Sequence, residues 1–130
     1  GIAAGALLML SGDYRISVAG EFKYGLNESA IGMVLPPFGI DLARFKLDQK
    51  YLDMAAVGAD LYDPEMARDI GYTDEVVEAD KFAARVHEKA DYFKTLDAKA
   101  YAGNKGLIRK ALTDKMTADL KASDDQAVVV

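Results

Sequence analysis

Residues 1–16 read GIAAGALLMLSGDYRI, and the fold turns on what the apolar run inside them is. A secretory peptide needs a basic lead-in before its apolar core, and none precedes Ile2. Asp13 and Arg15 close the run well short of the length a membrane span requires. Residues 2–11 are instead rich in Ala, Leu and Met, all good helix formers. They are apolar on nearly every face, so the expected structure is a helix enclosed by other elements, stopped at Gly12-Asp13.

Working outward, the 130-residue chain is long enough for one domain with a sizeable core. Apolar residues make up 51% and charged residues 28%, which is globular composition. With no Cys, disulfides, thiolate catalysis and cysteine zinc sites are excluded. One His cannot build a multi-histidine metal site. The formal charge of −5 argues against a general nucleic-acid surface.

After the first helix, Tyr14, Ile16 and Val18 alternate, as do Phe22 and Tyr24, which predicts two short strands around Ala19-Gly20. NESAIGMVLPPFG is a loop with one helical turn. Short helices are expected over FGIDLARFKL and DQKYLDMAAVG. DPEMARDIG carries clear punctuation: Asp63 suits the N-cap, Pro64 the first helical position and Gly71 the residue after the end. YTDEVV is extended. From Ala79 to Leu96, Phe82, Val86, Ala90 and Phe93 form one stripe of a long amphipathic helix. Tyr101, Ile108, Leu112, Met116 and Leu120 stripe a last helix, expected to be interrupted at Gly103 and Gly106. The end of the chain, 123–130, is expected to fray. Two short strands cannot make a stable sheet alone, so the β-containing first part is incomplete as it stands.

The pieces IAAGALLML, GDYRI, YGLNESAIG and MARDIGYTDEVV, in this order and spacing, resemble the crotonase superfamily, the enoyl-CoA hydratase/isomerase group. The resemblance covers residues 1 to about 120. It implies an α/β fold: residues 1–78 as the C-terminal portion of a crotonase-like ββα spiral core, and 79–122 as helices used in oligomerisation. Gly1 falls inside the family's Gly/Ala turn, so the chain is expected to be a C-terminal half whose N-terminal half is absent.

The resemblance also implies an enolate-forming chemistry on an acyl-CoA thioester. A backbone N–H at a helix start, with small residues that admit the thioester, is one of two oxyanion donors in the family. Here it matches Ala4, while its companion belongs to the absent half. Family hydratases use two glutamates. The first position is Leu7, which can neither accept nor donate a proton. The second, after the loop's GLP, is Glu28, although Asn27 replaces the usual Pro. One carboxylate suits proton transfer between carbons, so isomerase is expected over hydratase. Lys105, with Arg109 and Lys110 nearby, matches a lysine of the family and is the candidate for substrate binding. Ala4, Glu28 and the Lys105 cluster each also have a plain structural reading, respectively a tightly packed helix start, an exposed loop glutamate and a solvated basic face.

No cofactor is expected beyond the coenzyme A of the substrate, and no metal site. His87 reads as a half-buried surface residue and Asp63 as a cap. Expected partners are the acyl-CoA thioester, and further copies in a trimer or hexamer or a complementing N-terminal fragment, with no nucleic acid and a cytoplasmic location. Thioester hydrolysis or decarboxylation, which the superfamily also hosts, stays open. The alternative is an inactive fragment serving in assembly.

Overall fold

The computed structural model describes residues 1–127. The elements are α1 (Ala4–Leu10), β1 (Ile16–Val18), α2 (Pro37–Lys46), α3 (Leu52–Ala56), α4 (Pro64–Ile70), β2 (Glu75–Val77), α5 (Phe82–Lys94) and α6 (Ala98–Ala127), with a 3-10 turn at Glu28–Ile31. β1 and β2 pair in parallel, Ile16 opposite Glu75 and Val18 opposite Val77. Phe22–Tyr24, expected as a second strand, is reduced to an isolated antiparallel bridge between Tyr24 and Tyr62. The chain lies beside it on both sides, Tyr62 on one and Gly1–Ile2 on the other, but each contact stops at a single bridge, so no ladder propagates.

α4 follows its punctuation. The Asp63 carboxylate accepts from the Met66 N–H at 2.8 Å, Pro64 opens the helix, and Gly71 closes it at φ 107°. A side chain at Gly71 would lie 2.6 Å from the Lys46 carbonyl oxygen, so glycine is required by both conformation and space.

The core gathers Ala6 and Leu10 of α1, Leu26, Leu42 and Ala43 of α2, Leu47, Ala67, Ile70 and Tyr72. Burying each such Leu or Ile contributes about 1.5–3 kcal/mol. α1 is not enclosed as expected. Only Ala6 and Leu10 are buried, while Leu8 is 76% exposed, because nothing within the described residues covers that face.

The strand pair is too small to hold itself, and a polar clasp reinforces it. Arg15 is buried, and its Nε and Nη2 donate to the two Asp74 oxygens at 2.9 and 2.8 Å. Its Nη1 donates to the Gly71 carbonyl at 2.6 Å, and its main-chain N–H also reaches Asp74. Burial opposes the charge on Asp74, but the Arg15 hydrogen bonds and positive charge outweigh it and hold this carboxyl below its usual range.

α5 lies against β1, with Arg85 donating to Glu75 at 2.7 Å. α6 packs on α2, where Lys115 reaches the buried Asp41 at 2.5 Å. Gly103 and Gly106 do not interrupt α6. Neither has another residue near its would-be Cβ, so the cost is only the glycine penalty, about 1 kcal/mol each. The inward face of α6 also differs from the predicted stripe. Tyr101, Lys105, Arg109, Leu112 and Met116 turn inward, whereas Ile108 is 71% exposed. The helix runs through Ala127, past the start of the stretch expected to fray; 128–130 lie outside the described residues. Among the described residues no helix is long and apolar enough to cross a membrane.

Candidate active site

The polypeptide brings the first turn of α1 alongside the segment that carries Glu28. Ala3 donates to the Gly25 carbonyl at 2.9 Å and Gly25 donates to the Gly1 carbonyl at 3.1 Å. Ile2 and Gly25 thereby form a parallel bridge. Gly25 is there because a Cβ would lie 2.5 Å from the Asp60 carbonyl oxygen, on the side where Tyr24 pairs with Tyr62. Three residues later comes Glu28.

At the head of α1, Ala3 has φ 52° and ψ −124°. A residue with a Cβ in this region stores strain of order 1–3 kcal/mol. The next amide, Ala4 N–H, donates to no acceptor among the described residues, and Ala4 is exposed. An unpaired amide at a helix start is where negative charge is favoured.

Glu28 opens the 3-10 turn, which Gly32 ends in the left-handed conformation. Its carbonyl accepts from Met33 at 2.9 Å. Its side chain is buried, at 6% exposure, yet among the described residues Oε2 has no hydrogen-bond partner, and neither has Oδ1 of the adjacent Asn27. No ion pair to Glu28 is formed among the described residues. Most buried polar atoms in folded proteins are paired, so an orphaned carboxylate oxygen marks a place where chemistry happens or another molecule enters. Glu28 is thus no exposed loop glutamate.

Leu7 is half-buried and leans on α2, its Cδ1 3.2 Å from where a Cβ on Gly39 would stand. Lys105 is not brought to Glu28 or Ala4. It sits beyond the opposite end of α1, its Nζ 2.6 Å from Asp13. Arg109 also pairs with Asp13, at 2.8 Å, and Tyr101 donates to it at 2.6 Å. Burial works against the Asp13 charge, but hydrogen bonds from Lys105 and Tyr101 and the charges of Arg109 and Lys105 prevail, lowering its pKa. Lys105 borders a groove of about 620 Å³ with apolar walls from Ile16, Phe82 and Phe93. Lys110 pairs with Asp114 on the exposed face, and His87, expected to be half-buried, is exposed.

Two further tyrosines carry no role that the sequence suggests. Tyr72 is fully buried and Tyr62 partly so, their ring centroids 6.1 Å apart. Neither hydroxyl has a partner among the described residues. Burial pushes the Tyr72 phenol far above its ordinary value, with Tyr62 and Glu28 adding to the rise. Burial and Asp60 likewise raise Tyr62. The only sequence signal was Tyr72 immediately after the Gly71 stop, which fixes its backbone but does not reveal where its ring goes.

No protein-family model matches the chain. Mouse mitochondrial enoyl-CoA delta isomerase 1 is 30% identical over 116 residues, which is 88% of this chain and 40% of the relative. An enoyl-CoA hydratase/isomerase family protein from Pseudomonas syringae superposes with a TM-score of 0.90 at 37% identity, over 93% of this chain and 53% of that one. An enoyl-CoA hydratase from Mycobacterium marinum gives 0.89 at 28% identity, over 95% and 55%. The chain therefore spans about half the length of these solved structures and less than half of the curated relative.

Proposed function

We propose that this chain, which belongs to the enoyl-CoA hydratase/isomerase (crotonase) family, supplies the acid/base half of an enoyl-CoA isomerase. The observation that carries the reading is Glu28: buried, without an ion pair or a partner for Oε2 among the described residues, and three residues from the Gly25 bridge to the head of α1. The reaction moves a double bond from the 3- to the 2-position of an acyl-CoA. Glu28 takes a proton from C2, the electron pair passes into the thioester as an enolate, and the same carboxyl returns the proton at C4. Ala4 N–H donates one hydrogen bond to the enolate oxygen. The second donor comes from the part of the family fold that this chain does not span. Loss of one such donor costs about a hundred- to a thousand-fold.

Leu7 favours isomerisation over hydration, because activating a water between two carboxylates needs a second carboxylate and Leu7 packs apolar against α2. Lys105 is proposed to meet a coenzyme A phosphate by exchanging its contact with Asp13. The proposal includes assembly with a complementing half or with further copies. Leu8, Met33 and Val34 are 76%, 59% and 92% exposed, apolar side chains that a partner would cover.

The test is steady-state assay of the full-length protein with a 3-enoyl-CoA and, separately, a 2-enoyl-CoA. Isomerisation of the first with little hydration of the second is expected. Hydration as the dominant activity would overturn the isomerase reading.

A further inference from the structure

Beyond the end of α1 that lies away from Ala4, a pocket of about 440 Å³ gathers three cations and one carboxylate: Lys46 of α2, Lys105 and Arg109 of α6, and Asp13. Asp13 is already held, 2.6 Å from Lys105 and 2.8 Å from Arg109, with the Tyr101 hydroxyl donating to it at 2.6 Å. Lys46 is half-buried and has no carboxylate of its own among the described residues; its Nζ donates to the Gly12 carbonyl at 3.0 Å. Burial first, then the positive charges of Arg15 and Arg109, lower its pKa against the weaker opposing pull of Asp74 and Asp13. Arg15 is paired with Asp74. The pocket lining therefore carries two positive charges in excess, on a chain whose formal charge is −5. Like charges held together in a partly desolvated place are unfavourable until an anion joins them. The rings of Phe45 and Tyr101 stand beside the cations as walls, with Lys46 Nζ 5.9 Å from the Phe45 ring centre.

We propose that this pocket binds a phosphomonoester carried on a planar base, the phosphate meeting Lys46 and Arg109 and the base lying against Phe45. A phosphomonoester carries a charge of about −1.5 to −2 at neutral pH, which cancels the excess. A single carboxylate would cancel only half of it. Lys46 has hydrogens left over after Gly12, and the Arg109 guanidinium has those that do not face Asp13. Phe45 is 38% exposed, so its ring offers a face for stacking, a contact every base can make. Two sources have this chemistry: a free nucleotide, and the phosphorylated nucleotide end of coenzyme A. The first goes beyond the functional reading above, and the second rests on it. Neither calls on Glu28.

The experiment is calorimetric titration of the full-length protein with adenosine 5′-monophosphate and with adenosine. The monophosphate should bind, and adenosine should bind at least about tenfold more weakly. Lys46→Met keeps the length of the side chain and removes its charge; it should weaken the monophosphate by about tenfold, and Lys46→Arg should restore binding to within about threefold. Lys110→Met, at an exposed residue paired with Asp114, should change it by less than about twofold. A further readout needs no variant. In the parent protein the methyl resonance of Ile108, which lines the pocket, should move as ligand is added, and that of the buried Ile70 should not. Titration with coenzyme A and with its form lacking the 3′-phosphate separates the sources. A preference for coenzyme A that Lys46→Met abolishes supports the pocket as part of substrate recognition. Equal affinities for those two, with the monophosphate still bound through Lys46, support it as a free-nucleotide site. Phosphate preferences that are absent or that survive Lys46→Met, or an Ile108 resonance unmoved by either ligand, would overturn the proposal. None of these readouts uses turnover, so their failure leaves the isomerase reading standing on its own assay.

Discussion

Replacing Asp74 by Ala is predicted to unfold the strand pair first. Arg15 is 8% exposed and Asp74 30%. Without Asp74 the guanidinium stays buried with only the Gly71 carbonyl as partner. Stranding one partner of a buried pair costs about 3–5 kcal/mol, and partial exposure here places the cost near the lower end, at about 3 kcal/mol. Arg15→Ala is milder, because the stranded carboxylate can rehydrate through its exposed edge. The clasp also predicts a pH dependence. Asp74 is depressed below its unfolded value of 3.8, so its contribution is complete above that value and is lost as pH falls through the folded one. Urea unfolding at neutral pH, repeated toward pH 3, measures both effects. Asp74→Asn should remove that part of the acid sensitivity. A cost below roughly 1 kcal/mol, the range of exposed pairs, would show that Arg15 is hydrated in solution and that the clasp does not hold β1 to β2.

Gly25→Ala would drive a methyl to 2.5 Å from the Asp60 carbonyl; crowding of this kind costs about 1–3 kcal/mol, and turnover should fall with stability because Gly25 ties the head of α1 to the Glu28 segment, as thermal unfolding and isomerisation run in parallel would show. Asp63→Ala removes the α4 cap and should cost about 1 kcal/mol in urea unfolding with turnover per folded molecule unchanged. The full-length protein should hydrate a 2-enoyl-CoA well below the median enzyme rate of about ten per second, because Leu7 supplies no carboxylate; a rate at that level would mean another residue fills the role.

Much of this was legible because the relevant signals are local. Asp63, Pro64 and Gly71 delimit α4 through geometry that no tertiary contact needs to supply. The order of motifs singled out Glu28 as a candidate, and its burial could not be read from the loop that carries it; the same order prefigured the likeness to family structures. What was not legible depends on partners distant in sequence. The inward face of α6 carries Lys105 and Arg109 because Asp13, some 92 residues from Lys105, draws them in; hydrophobic periodicity would have turned them outward and Ile108 inward. Phe22–Tyr24 alternates like a strand but finds only isolated contacts, the Tyr62 bridge on one side and Gly1 on the other. α1 was read as enclosed because all its faces are apolar, yet enclosure requires a cover that the described residues do not provide. Tyr72 reads as ordinary core from the sequence, and only its buried, unpaired hydroxyl distinguishes it.

The measurement that bears most directly on the whole account is Glu28→Gln in the full-length protein, assayed by isomerisation of a 3-enoyl-CoA alongside calorimetric binding of an acyl-CoA. Gln keeps the shape and removes the proton acceptor. The account predicts turnover lowered by about a hundred-fold or more with affinity nearly unchanged. Turnover within a factor of a few of the parent would contradict it, and would place the acid/base outside Glu28.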